Sequence, residues 1–316
     1  MIRFLVGLGL AAGCAASASA WAPPADFLEL RAKDARVARI GFELATANAP
    51  FCDDKVPATG LLLHDMGAYA DPQQMRSALG LTSDIAVQAV VPDSPAAEAG
   101  LATDDSIVSF DNVPVSALPS DENKRWFRLE RLRQTMTEQL AESGTVSLAL
   151  QGDEAITLRG VAACRSRFEV GPLGKRAVAN GERVVIGDKF PGHEWPDELL
   201  AAVMAHELAH NVLRHRAWFD ANGRQRKYVR LTEREADRLM PWLLANAGYE
   251  PSAAARFMET WGPAHSGGIF RKRTHDGWDE RADMIAAEVA LVEARLAAGE
   301  QADWKTHFRR EDLPNR

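Results

Sequence analysis

His206-Glu207-Leu208-Ala209-His210 is an HExxH sequence, a set of residue types able to hold a divalent metal and activate water beside it. Leu199, Leu200, Ala201, Ala202, Val203 and Met204 precede it, so the motif is expected inside a helix running from Pro196 to about His215. Four residues make about 400° of turn, which leaves the two imidazoles about 40° apart, on one face and within reach of one ion. Glu207 points about 60° from His210, near enough to reach water at the metal without taking a ligand position. Apolar residues on both sides of the motif disfavour a surface helix with two solvated histidines. His215 follows half a turn further round, so it is not expected to ligate the same ion. His64, His193, His265 and His307 lack partners at any ligand spacing and are expected on the surface or in loops.

Two imidazoles leave a hydrolytic metal short of a third protein ligand, commonly Glu or His. Thr232-Glu233-Arg234-Glu235-Ala236-Asp237 lies downstream. HExxH followed by Glu-x-x-x-Asp on a later helix resembles metallopeptidase family forty-eight, the HtpX- and BepA-like gluzincins. The resemblance implies that Glu233 is the third ligand and that Asp237, one turn on, hydrogen-bonds a ligand imidazole. Glu235 points about 200° away and is expected at the surface, where substitution does little. The likeness extends over residues 165–290. Ala179 to Ile186 resembles the family's edge strand beside the cleft, with Val184, Val185 and Ile186 pairing with the substrate backbone. Thr274-His275 and Arg281 resemble a segment whose His and Arg approach the catalytic centre, although Asp276 replaces the family's Pro.

The elements that must position these groups can be read in outline. Asp26 to Ala47 is amphipathic at helical spacing through Phe27, Leu30, Val37, Ile40 and Leu44, and stops at Asn48-Ala49-Pro50. It resembles the opening helix of the same protease domain. From residue 57 to 162 the texture turns to short β-like runs. Ile85 to Val91, Pro92 to Leu101 and Asp104 to Val108 give strand, short helix stopped by Gly100, and strand. This "SPAAxAGL" arrangement resembles a bacterial-type PDZ domain, with Leu79-Gly80-Leu81 similar to the loop whose N–H groups hold a peptide carboxylate. A charged helix over Glu122 to Ala141 and a hairpin of Thr145–Leu150 with Ala155–Leu158 complete that stretch. Beyond Arg165 the pattern is mainly helical, with a strand at Arg183 to Ile186 and helices at Leu231 to Leu244 and Asp279 to Ala298.

The expected organisation is α+β: a leader over 1–20, a first helix within 25–55, a PDZ domain over 57–162 and a mainly helical zincin-type domain over 165–316. The PDZ is then an insertion whose ends lie close together. Cys52 and Cys164 flank it and are expected to form a disulfide.

The leader reading rests on Arg3, an apolar run over Phe4 to Ala12 too short to span a bilayer, and Ala18-Ser19-Ala20 as a cleavage site. Cys14 offers a competing reading, lipidation at a loose lipobox. Either route places the protein in the periplasm or outside the cell, soluble or lipid-anchored. A net charge of −7, with no basic stripe interleaved with aromatics, excludes nucleic acid as the expected partner.

The expected function is zinc-dependent endoproteolysis with one Zn²⁺ per chain on His206, His210 and Glu233. Glu207 is the base, assisted by His275 or Arg281, and protein or peptide is the substrate. The alternative is a PDZ-based peptide-binding or chaperone-like factor, taking a C-terminal peptide, whose zinc site is structural or idle.

Overall fold

A computed structural model describes residues 22–121, 123–152, 155–265 and 276–313. The leader over 1–20 with Cys14, Glu122, and the Thr274-His275 pair lie outside the described residues.

The described chain opens with helix α1 (Ala25–Ala47). A β-rich stretch follows: β1 (Lys55–Ala58), β2 (Leu61–Asp65), α2 (Pro72–Leu79), β3 (Ile85–Val90), α3 (Pro95–Glu98), β4 (Ser106–Phe110), β5 (Val113–Pro114), α4 (Phe127–Ser143), β6 (Thr145–Leu150), β7 (Ala155–Arg159) and β8 (Val161–Cys164). Strands β9 (Arg167–Gly171), β10 (Ala177–Ala179) and β11 (Arg183–Gly187) lead into α5 (Asp197–Val212), α6 (His215–Asn222), α7 (Arg226–Asn246), α8 (Ala253–His265), α9 (Trp278–Ala297) and α10 (Trp304–His307). The fold is α+β.

Two main apolar cores divide the chain. In the first, Val37, Ile40 and Leu44 of α1 pack with Leu200, Met204 and Leu208 of α5 and Leu239 and Leu243 of α7, all fully buried. Each such side chain contributes roughly 1.5–3 kcal/mol. Gly41 lets α1 lie directly on β9, since a Cβ there would stand 2.2 Å from Phe168 Cγ. Arg36 of α1 then fastens the start of α5, donating to Asp197 at 2.6 Å and to the His193 carbonyl at 2.7 Å. The helix that carries HExxH is therefore held by a helix more than 150 residues earlier in sequence.

The second core lies on an antiparallel sheet of order β2-β3-β4-β6-β7, with β5 paired to β4. Leu132, Met136 and Leu140 of α4 cover Ile85, Val87, Ile107, Leu148 and Leu158. Strand, helix and strand fall at β3, α3 and β4, and Gly100 takes a φ of 80° to turn between the last two. The β-rich stretch enters on β1 and leaves on β8, which pair antiparallel from Lys55 opposite Cys164 to Ala58 opposite Val161. Beside them Cys52 and Cys164 form a disulfide with a Cα separation of 5.5 Å.

Four expectations are corrected here. Strand β11, which carries Val184, Val185 and Ile186, is not an edge: it is the middle strand of a three-stranded sheet of order β10-β11-β9. Its two sides are already paired, so the edges of this sheet are β9 and β10, of which β10 (Ala177–Ala179) is the one that lines the cleft. Leu79-Gly80-Leu81 is not an open loop. Gly80 is the left-handed cap of α2, and the Gly80 and Leu81 amides donate back to α2 carbonyls, the latter to Arg76 at 2.9 Å. Those N–H groups cannot also hold a peptide carboxylate. Helix α4 begins at Phe127 rather than Glu122 and ends at Ser143 before the left-handed Gly144.

His64 is not on the surface: it sits in β2, 4% exposed, stacked on Phe27 with Nδ1 3.3 Å from the Tyr69 hydroxyl. Burial holds its pKa down at about 4, and Arg31 adds to the effect. The unfolded chain binds this proton at about pH 6.5 and the folded chain does not. Stability from this site is therefore complete above about pH 6.5 and lost as pH falls toward 4. His64→Phe is expected to lose about 2 kcal/mol less stability than wild type between pH 7 and 4.5. Denaturant titrations at the two pH values check this; equal losses would clear His64 of the effect.

Candidate metal centre

Helix α5 is buried nearly all round: Leu200 to Met204 and Leu208 and Ala209 sink into the first core, and only Glu207 and His210 of the motif keep partial exposure. A polar motif survives in such a helix because its groups find one another. His206 Nε2 and His210 Nε2 stand 3.3 Å apart. Glu233, one turn before Asp237 on the strongly amphipathic α7, brings its carboxylate oxygens to 3.5 Å from His206 Nε2 and 3.6 Å from His210 Nε2. Donors bonded at about 2.0–2.1 Å to a tetrahedral ion lie about 3.4 Å from one another, so the three spacings fit a zinc-sized ion. These three residues form a group that can hold a metal ion. Two imidazoles and one carboxylate are a donor set that divalent transition metals accept, zinc and iron(II) among them.

Asp237 is fully buried with one oxygen 3.0 Å from His206 Nδ1. Arg281 of α9 donates to both of its oxygens, Nε at 2.6 Å and Nη2 at 2.7 Å. Burial would raise the Asp237 pKa, but Arg281 and His206 outweigh it and hold the carboxyl below the usual range. Burial would also depress His206, yet Asp237 and Glu233 outweigh it and lift the imidazole to about 10. His210 goes the other way, held down at about 3 by burial. Burial pushes the Glu207 carboxyl up to about 7, against the pull of His206 and the Ala179 backbone.

The group opens on a cleft of about 400 Å³. Ala177, Val178 and Ala179 of β10 line one side, Phe190, Val203, Phe257 and Trp261 make an apolar wall, and exposed Arg176, Arg216 and Arg224 stand at the rim. Asn211, directly after the motif, ties α5 to the β10–β11 turn: its Oδ1 accepts from the Gly181 amide at 2.7 Å and its Nδ2 donates to Ser166 at 2.8 Å. That bond sets β10 against the metal helix.

The geometry brings together His206, Glu207, His210, Glu233, Asp237 and Arg281. It leaves Leu79 and Leu81 in a separate small cluster with Met66 and Met75, with Gly80 exposed, and puts Val184 and Ile186 in the interior of the first core. Two residues carry roles that the spacing rules denied them. Helix α5 stops at Val212 and Arg214 turns left-handed at φ 58°, so the rotation expected for His215 never accumulates. His215 instead swings back, fully buried, with Nδ1 2.8 Å from His210 Nδ1. Glu235 is not at the surface: it is 0% exposed and lies 2.8 Å from His215 Nε2. Asn211 and His215, polar residues at the end of a buried apolar helix, were the signal available in the sequence.

The chain matches no family model, and comparison with curated proteins and with solved structures gives no match.

Proposed function

We propose that this protein is a zinc-dependent endopeptidase of the gluzincin type, similar to the HtpX- and BepA-like group, with a PDZ-like module inserted between its first helix and its catalytic helices. One observation carries the reading: Glu207, a carboxylate not needed for the metal, stands in the same cleft as a three-residue ligand set. A structural zinc site is closed by four protein ligands; three are found among the described residues. The disulfide fits an oxidising compartment and so supports export.

A bound zinc ion supplies Lewis acidity toward water and toward the scissile carbonyl. The chain does the rest. Glu207 takes a proton from the attacking water and hands it to the leaving amine, tasks suited to a carboxyl that burial has moved to about 7. Asp237 lies 3.0 Å from His206 Nδ1, placed to orient that ring, and Arg281 holds Asp237, so Arg281 acts through that carboxylate. Strand β10 is paired on one side only, to β11, and lines the cleft, which suits it to take an extended substrate as an added strand. The apolar wall of Phe190, Val203, Phe257 and Trp261 offers room for a substrate side chain.

Zinc content of the purified protein, together with cleavage of casein before and after chelation, tests the reading. Glu233→Gln is expected to lower zinc binding and activity together, because a neutral amide replaces a charged ligand. Asp237→Asn is expected to cost on the order of 10–100-fold in metal affinity or activity, the usual scale for a group that orients a ligand. Full zinc occupancy in Glu233→Gln at low free metal would remove Glu233 from the ligand set.

A further inference from the structure

Beyond the ligands, a line of polar groups, buried at His215 and Glu235, runs from the metal site to Arg310 and Glu311. His210 Nδ1 is 2.8 Å from His215 Nδ1, and His215 Nε2 is 2.8 Å from Glu235 Oε2. The C-terminal segment closes on the far side of Glu235. Arg310 donates to its two oxygens at 3.0 and 3.1 Å, and the Glu311 amide donates to Oε1 at 2.7 Å. Arg310 also donates to the Leu213 carbonyl at 3.1 Å, at the end of α5, while the Glu311 carboxylate receives Arg238 of α7 at 2.9 Å. Phe308 and Leu313 on either side are buried. The segment is therefore seated in the fold, not draped over it.

Donor and acceptor counting gives this line a direction. An ionised carboxylate only accepts, so His215 must carry its proton on Nε2 to meet Glu235. In the neutral ring that leaves a lone pair on His215 Nδ1, which can only accept, so His210 must carry its proton on Nδ1. The lone pair of His210 then sits on Nε2, the atom that faces His206 and Glu233. We propose that Arg310 and Glu311 position the ligand His210 through Glu235 and His215, and thereby set which of its nitrogens is free to bind metal. The proposal rests on the metal reading of His206, His210 and Glu233. His206 has its own such partner in Asp237; His215 and Glu235 do the same for the second imidazole, from the opposite end of the sequence.

The test uses the full chain, with zinc affinity measured by competition against a chromophoric chelator. Imidazole ¹⁵N chemical shifts of the chelator-treated protein report the tautomer of His210. His215→Phe keeps the volume and removes the acceptor, and is expected to cost about 10–100-fold in zinc affinity. His215→Gln, which restores an acceptor, is expected to recover part of that loss; a merely space-filling role would not show such rescue. Arg310→Ala touches no ligand and is expected to weaken zinc several-fold and to mix the His210 tautomers. Wild-type affinity and an unchanged tautomer in folded Arg310→Ala would overturn the proposal, and this variant decides if His215→Phe does not fold. If the wild-type protein takes up no zinc, the metal reading itself fails. The tautomer then judges the line alone, and a proton on His210 Nε2 in the wild type overturns it.

Discussion

Glu207→Gln is expected to retain one zinc per chain and to lose proteolysis by at least about a hundredfold, and up to about ten-thousandfold, the range for removing a positioned acid–base group. The two halves of that result have separate causes. Zinc is expected to stay because the group that can hold a metal ion is His206, His210 and Glu233, whose donor atoms converge without Glu207. Activity goes because an amide cannot take the proton of the attacking water. Gln has the same shape, so the packing of α5 against β10 is kept. Metal analysis and casein cleavage on one preparation decide the matter. Zinc lost along with activity would make Glu207 a ligand, and undiminished cleavage would end its role as base.

The centre of this site was legible because its chemistry is local. HExxH needs only a helix, so its spacing alone pairs His206 with His210, while Glu233 and Asp237 were picked out of an acidic stretch by the resemblance to a Glu-x-x-x-Asp pattern on a second helix. What surrounds them depended on where elements stop. A 16-residue helix ending at Val212, with no Gly or Pro to mark the end, changed His215 from a residue facing away into a neighbour of His210. Glu235 was assigned to the surface because a charged side chain opposite a core face normally is there. It is buried because Arg310, 75 residues later, comes back to pair with it, and no periodicity in α7 reports that. The free sheet edge was misplaced for a related reason. Val184 to Ile186 has the apolar run of a strand, and such runs mark strands buried on both sides, whereas β10 is three residues of Ala-Val-Ala with almost no signal of its own. Leu79-Gly80-Leu81 resembles a carboxylate-holding loop in sequence, and only the destinations of the Gly80 and Leu81 amides show that it is the cap of a helix.

Replacing Cys52 and Cys164 by Ala is expected to cost about 4–5 kcal/mol of stability in the chain-entropy model, and to link the fate of the metal site to that of the β-rich stretch. Both sulfurs are buried in the first core, at the point where β1 and β8 carry the chain into the second core and back. The bridge closes a separation of 112 residues, and what lies outside that loop matters. Helix α1 precedes it and the metal helices follow it. If the β-rich stretch unfolds in the oxidised protein, α1 stays tethered beside Cys164. Val37, Ile40 and Leu44 can then remain packed on α5 and α7. Without the bridge, the same event leaves α1 attached only through a long flexible loop, whose closure costs about 4 kcal/mol. The metal core then loses the helix that fastens the start of α5 through Arg36. Oxidised protein is therefore expected to keep zinc through a first denaturant transition, and the variant lacking Cys52 and Cys164 to release zinc in that same transition. Zinc release and loss of β structure can be followed together across a urea series. Coincident release in both proteins, or two free thiols titrating in unreduced, denatured wild type, would remove the bridge from this role.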